Sequence, residues 1–191
     1  MMIVIEFLYA LISILLALYG LNSLYLLWLY RRARPKVEPP PPGVWPRVTV
    51  QLPIFNELHT VERLISAVSR LDYPRDRLEV QVLDDSTDAT TALAASLVAR
   101  AQAEGLNIVH LHRSRRDGYK AGALAAGLKQ VRGEFIAIFD ADFVPPPDFL
   151  RRALPWFANS RVGCGQARWT HLNRNYSLLT QLQALGVDGH F

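Results

Sequence analysis

Residues Phe7 to Tyr30 run for 24 positions without an Asp, Glu, Lys or Arg. As a helix rising about 1.5 Å per residue, that stretch would be roughly 36 Å long, enough to cross a hydrocarbon core with some tilt. Tyr25, Trp28 and Tyr30 crowd its C-terminal end, where interfacial aromatics sit. A cleaved leader has a shorter apolar core, a basic start and a small-residue cleavage site. Here only Glu6 precedes the run, and Arg31, Arg32, Arg34 and Lys36 follow it. Residues 1–30 are therefore expected to span a membrane. The excess of basic residues on the C-terminal side puts the N-terminus outside and the remainder of the chain in the cytoplasm. A core helix of a soluble protein is the alternative, disfavoured by the length.

Residues 31–46 read as a basic, proline-rich linker, with Pro39 to Pro42 as a short stiff polyproline spacer. The net charge of +4 is modest and much of it lies beside the apolar run, where it favours anionic lipid and gives no sign of nucleic-acid binding. The single Cys164 excludes an internal disulfide and fits a reducing compartment. His59, His110, His112, His171 and His190 are scattered without zinc-ligand spacing and read as ordinary structural histidines, with His110 and His112 on one strand face.

From residue 47 to 191, strand and helix patterns alternate. Strands are expected over Arg47–Ile54, Leu78–Leu83, Asn107–Leu111, Glu134–Phe139 and Val162–Trp169. Helices are expected over Glu57–Leu71, Asp88–Glu104, Tyr119–Val131, Pro147–Phe157 and Tyr176–Asp188. Such alternation with short connections predicts an α/β fold with a doubly wound, mostly parallel sheet, whose ligands bind beyond the carboxyl ends of the strands.

The polar residues fall at those ends. Asn56 and Glu57 follow the first strand, Asp84-Asp85-Ser86-Thr87-Asp88 the second, a basic loop from Arg113 to Lys120 the third, and Asp140-Ala141-Asp142 the fourth. Asn56-Glu57 and the acidic turn could simply cap helices. Arg113 and Arg115 read as a solvated loop. Lys120, starting a helix between Gly118 and Gly122, suits a phosphate. Phe135 to Phe139 reads as a fully buried strand. Continuing its alternation would turn Asp140 and Asp142 to the same side. Two carboxylates so placed repel unless a cation joins them, and Mg²⁺ or Mn²⁺ held by the pair plus substrate phosphates fits that need. Gly163 to Arg168 lacks the third glycine of a dinucleotide fingerprint, and Gly118-Tyr119-Lys120 lacks the spacing of a P-loop.

The segments Val50–Glu57, Leu71–Thr91, Arg116–Leu124, Phe135–Leu150 and Gly165–Asn173, taken in order, resemble family 2 glycosyltransferases of the GT-A fold. Within these the likeness is to the membrane-anchored synthases related to cellulose synthase, and specifically to the mannan and glucomannan synthase-like branch. The resemblance implies a Rossmann-like GT-A domain over 47–191, cytoplasmic, on a bacterial plasma membrane. By it, Asn56, Glu57, Asp84 and Asp85 line the base and ribose of a nucleotide-sugar donor, and Lys120 contacts its phosphate. Asp140 and Asp142 hold the metal, with Asp140 also at the diphosphate, and Gln166, Arg168 and Trp169 lie on the acceptor side. The implied reaction moves a hexose from UDP-glucose or GDP-mannose to a glycan or lipid, with inversion. The acidic motif that carries the general base is expected beyond Phe191, so the domain reads as incomplete and the chain as one that could bind donor without transferring sugar. Asp140-Ala141-Asp142-Phe143-Val144 also satisfies the pattern of a haloacid dehalogenase-type phosphatase. That pattern belongs at the end of a first strand, however, and here three precede it.

Overall fold

The computed structural model describes residues 2–32 and 38–188. Part of the expected linker, with Arg34 and Lys36, lies outside them, as does His190. The chain divides into two units, one up to Glu38 and one from Pro39.

The first unit holds one long helix, α1 (Met2–Arg32), 31 residues long and with no buried side chain. It covers the expected span from Met2 onward, runs two residues past its C-terminal end, and is long and apolar enough to cross a membrane. Arg31 and Arg32 close its last turn, where cations meet the negative end of the helix dipole. The Arg32 guanidinium lies 4.1 Å from the centroid of the Trp28 ring.

The second unit is built on four parallel strands, β1 (Val48–Ile54), β2 (Leu78–Asp84), β3 (Ile108–His112) and β4 (Phe135–Ile138), in the order β3-β2-β1-β4. Every residue of β1 is buried. Its alternation divides the sheet into two unlike faces. Val48, Val50, Leu52 and Ile54 join Leu78, Val80, Val82 and Ile108 in an apolar core under α2 (Val61–Ser69), α3 (Thr90–Ala103) and α5 (Phe149–Ala153). The opposite face is partly polar. The Gln51 amide donates to Gln81 at 3.0 Å, and the Thr49 hydroxyl to Glu79 at 2.7 Å. These cross-strand bonds satisfy the Gln51 amide and the Thr49 hydroxyl, which burial would otherwise make costly, and leave the buried Gln81 amide nitrogen without a partner among the described residues. Over them lies α4 (Tyr119–Leu128), which approaches closely because Gly127 carries no side chain. A Cβ there would come within 2.7 Å of the Gln51 amide nitrogen and 2.8 Å of the Gln81 oxygen.

Several expectations shift. β4 is an edge strand rather than a fully buried one. Its Ile136 and Ile138 stand 40% and 47% exposed, because no described element covers that end of the polar face. The helix expected from Glu57 begins only at Val61, because Asn56 takes φ 55° and is bonded to the acidic turn. The expected Pro147–Phe157 helix divides into α5 and a 3-10 turn over Leu154–Ala158. No strand forms over 162–169. Gly163 and Gly165 weaken it, and its side chains are drawn elsewhere, Arg168 to Asp188 and Trp169 to Phe143. The last helix, α6 (Leu178–Asp188), starts after a reciprocal turn in which the Ser177 N–H donates to the Thr180 hydroxyl and the Thr180 N–H to that of Ser177.

Gly133 leads into β4 with its N–H donated to the Thr49 hydroxyl, and a Cβ there would sit 2.4 Å from the Thr49 backbone nitrogen. Gly133→Ala must push β4 from β1. It is expected to cost about 1–3 kcal/mol, read as a lowered thermal midpoint of the second unit.

Candidate active site

The chain runs from β1 through β2 to β3 and then returns to place β4 on the far side of β1, so the strand order reverses between β1 and β4. The crevice of an open α/β sheet lies at such a reversal, beyond the carboxyl ends. Asn56 follows β1 there, with Asp84 and Asp85 at the end of β2, Arg113 after β3 and Asp140 after β4.

The acidic turn is tied to the β1 end. Asn56 donates its backbone N–H to the Ser86 hydroxyl at 2.9 Å, and its side-chain oxygen accepts from the Thr87 N–H at 2.9 Å. Glu57 is partly buried and its carboxylate accepts from the Thr60 hydroxyl at 2.8 Å. Asp84 is wholly buried. It accepts from the Ser86 N–H at 2.8 Å and faces His110 Nε2 at 3.0 Å and His112 Nδ1 at 3.4 Å. Burial pushes the Asp84 carboxyl up, but the hydrogen bonds from His110 and Ser86 outweigh it and hold the group well below the ordinary carboxylate range. The side chain expected to face a donor thus lies under the rim and shapes the turn from below.

Asp85 is nearly as buried, but it faces Arg113. The guanidinium bonds both carboxylate oxygens, Nε to Oδ1 at 2.7 Å and Nη2 to Oδ2 at 2.6 Å. The expectation of a solvated Arg113 is therefore corrected. Its side chain is 21% exposed, whereas Arg115, 83% exposed beside Asp117, is the solvated residue expected. Arg116 lies over the ring of Phe55, 3.4 Å from its centroid, and 5.1 Å from that of Tyr119.

Lys120, in the first turn of α4, extends its ammonium to the Asp140 carboxylate. Asp140 and Asp142 lie in a turn beyond β4, closed by the Phe143 N–H to the Asp140 carbonyl at 3.0 Å. Their placement comes from what flanks them rather than from the pleat of a strand. Phe139 and Ala141 are buried in the core, the former edge-on to Phe149 at 5.0 Å, which turns the alternate carboxylates outward. Asp142 is exposed, and its carboxylate has no ion-pair or hydrogen-bond partner among the described residues.

The structure thus pairs Asp85 with Arg113 and Lys120 with Asp140, and links the two pairs through the bond from Arg113 to the carbonyl of Tyr119, the residue before Lys120. The acceptor-side trio is divided. Trp169 stands edge-on to Phe143, 5.4 Å between centroids, next to the carboxylate turn. Gln166 is exposed. Arg168 is held by Asp188 at 3.2 Å, a carboxylate that also takes His171 at 3.2 Å and Arg174 at 3.6 Å. The hydrogen bonds from His171 and Arg168 lower the Asp188 carboxyl below its usual range. A cavity of about 270 Å³ between β3 and α4 is lined by Arg113, His110 and Gln130 but by neither Asp140 nor Asp142.

The family model for glycosyl transferase family 2 matches residues 49–182. The chain belongs to glycosyl transferase family 2. It is 46% identical over 154 residues to glucomannan 4-beta-mannosyltransferase 1 of Oryza sativa subsp. japonica, covering 78% of this chain and 30% of that protein. To glucomannan 4-beta-mannosyltransferase 2 of Arabidopsis thaliana it is 45% identical over 152 residues, covering 77% and 28%. Among solved structures, the mannosyltransferase PcManGT from Pyrobaculum calidifontis, in complex with GDP-Man and Mn2+, matches with a TM-score of 0.67 and 34% identity. That match covers 82% of this chain and 46% of that one. S. aureus TarS shares the fold at a TM-score of 0.51. This family 2 chain therefore has a parallel GT-A-type sheet, and it spans less than a third of the length of the plant relatives it matches.

Asp84 yields a pH prediction. Its folded pKa lies below the unfolded value, so its ionisation stabilises fully above that value and the contribution fades as pH falls through the folded one. Asp84→Asn is expected to lower the thermal midpoint at pH 7, with the difference from wild type narrowing only below about pH 4.

Proposed function

We propose that the rim binds a nucleoside-diphosphate sugar with a divalent cation, and that the whole protein transfers mannose from GDP-mannose to a β-linked glycan. The observation that carries this reading is the set of contacts in which Arg113 bonds Asp85 and the Tyr119 carbonyl while the next residue, Lys120, meets Asp140, gathering residues from three strand ends on one rim. The relatives named as mannosyltransferases, and the neighbour holding GDP-Man and Mn2+, favour GDP-mannose over UDP-glucose.

The residues fit a hard cation. Among the described residues no group of three or more His, Cys, Asp or Glu could hold a metal alone. Two carboxylates do suffice where substrate phosphates complete the shell. The Lys120 ammonium on Asp140 already places positive charge at this point. Asp140 and Asp142 would hold Mg²⁺ or Mn²⁺, which supplies Lewis acidity toward the departing diphosphate. Lys120 adds a donor and a positive charge to the phosphates. Asn56, Glu57 and Asp85 offer acceptors to the base and ribose, with Asp84 fixing the turn beneath them. Trp169 gives an aromatic face to an acceptor sugar and Gln166 a hydrogen-bonding group, while Arg168 serves the same side by holding its segment to Asp188. Inversion needs a general base, which we assign to the family's acidic motif beyond Phe191. Asp188 does not qualify, since three cationic or imidazole groups occupy it. α1 anchors the domain, with the N-terminus outside and the catalytic unit in the cytoplasm.

A second reading is donor binding without transfer. Two measurements separate the readings. Transfer of labelled mannose from GDP-mannose by the whole protein in detergent supports the first, and GDP binding by the whole protein without transfer supports the second. In either case Asp142→Ala should abolish Mn²⁺-dependent GDP binding, read by calorimetry. Unchanged binding would overturn both.

A further inference from the structure

The sequence assigns Arg113 to solvent, but the fold takes it in. Beyond the two bonds to Asp85, its Nη1 donates to the Asp117 carbonyl at 3.2 Å and its Nη2 to the Tyr119 carbonyl at 3.2 Å. Its own backbone N–H donates to the Asp84 carbonyl at 2.9 Å. One side chain therefore ties the acidic turn after β2 to the loop that delivers Lys120.

That loop needs such a hold. Gly118 and Tyr119 both lie in the left-handed region, at φ 70° and 51°. Glycine adopts it freely, whereas a tyrosine there is strained and persists only where its surroundings fix it. The helix start presses on the same point, since a Cβ on Gly122 would meet the Asp117 carbonyl oxygen at 1.9 Å and Arg113 Nη1 at 3.1 Å. Lys120 follows directly, so the carbonyl that Arg113 grips belongs to the residue preceding the expected phosphate contact.

We propose that Arg113 is a positioning residue for nucleotide binding: its planar fork holds Asp85 as a neutralised hydrogen-bond acceptor and, through the Tyr119 carbonyl, sets the place of Lys120. This rests on the donor site proposed above. It divides the carboxylates of the rim by task. Asp85, with both oxygens in the fork, presents little net charge to a metal, and its remaining lone pairs suit an N–H or O–H of a base or ribose. Asp140 and Asp142 keep the cation. A lysine at 113 could not replace the fork, because a point charge on a flexible stem cannot bridge two carboxylate oxygens and two carbonyls at once.

The test uses the full chain and two readouts. In the first, calorimetry with GDP and Mn²⁺, Arg113→Ala and Arg113→Lys each weaken binding roughly ten- to hundredfold. Millimolar guanidinium restores the alanine variant and leaves the lysine variant unchanged. The second is amide hydrogen exchange without nucleotide. In both variants residues 84–88 and 117–122 lose protection together while β1 and β2 keep theirs. An Arg113→Lys protein that binds GDP as wild type does, or variants in which the two segments keep their protection or lose it independently, would overturn the proposal. A wild-type chain that binds neither GDP nor UDP sinks the donor reading instead. Exchange then still decides the tie, supported by joint loss and overturned by independent loss.

Discussion

Burial of β1 on both faces is the constraint from which the rest follows. A parallel strand flanked by β2 and β4 and covered by helices above and below cannot carry unpaired polar groups along its length. Those it does carry, Thr49 and Gln51, are bonded to partners in β2. The next polar residues, Asn56 and Glu57, lie beyond its carboxyl end, and because the strands are parallel, their carboxyl ends share one rim. The concentration of Asn56, Asp84, Asp85, Arg113, Asp140 and Asp142 there is thus a packing outcome before it is a chemical one.

On that rim, ion pairs differ by burial. Arg115–Asp117 and Arg152–Asp148 lie in solvent, where such pairs contribute between zero and about 1 kcal/mol. The Arg113–Asp85 pair has the geometry that makes a charge pair worthwhile out of water, two short bonds from one guanidinium whose Nη1 and Nη2 each also donate to a carbonyl. Breaking it from one side leaves a desolvated charge, and that asymmetry is why Arg113 differs from its neighbours in the same loop.

Most of this was legible in the sequence because it rests on local pattern. The four strands of the sheet follow from apolar runs closed by polar clusters, and the order of those clusters marked the rim and the family. What was not legible depends on distant partners. Arg113 and Asp85 are 28 residues apart, and nothing local distinguishes an arginine that finds a buried carboxylate from one that does not. The late start of α2 has the same origin, since Asn56 is held by Ser86 and Thr87, thirty residues on. The strand expected over 162–169 had the right composition, but strand formation needs a neighbour to pair with. Asp140 and Asp142 were expected on the same side by strand alternation, but the strand ends first, and the burial of Phe139 and Ala141 does the turning.

The bare edge of β4 has a practical meaning. Ile136 and Ile138 stand beside a row of backbone amides and carbonyls that no described strand engages. Neither a charge nor a proline interrupts Phe135 to Ile138, so nothing there discourages a neighbouring molecule from docking strand to strand. An edge of this kind is open to strand pairing, and a lysine at 136 or 138 would oppose such pairing.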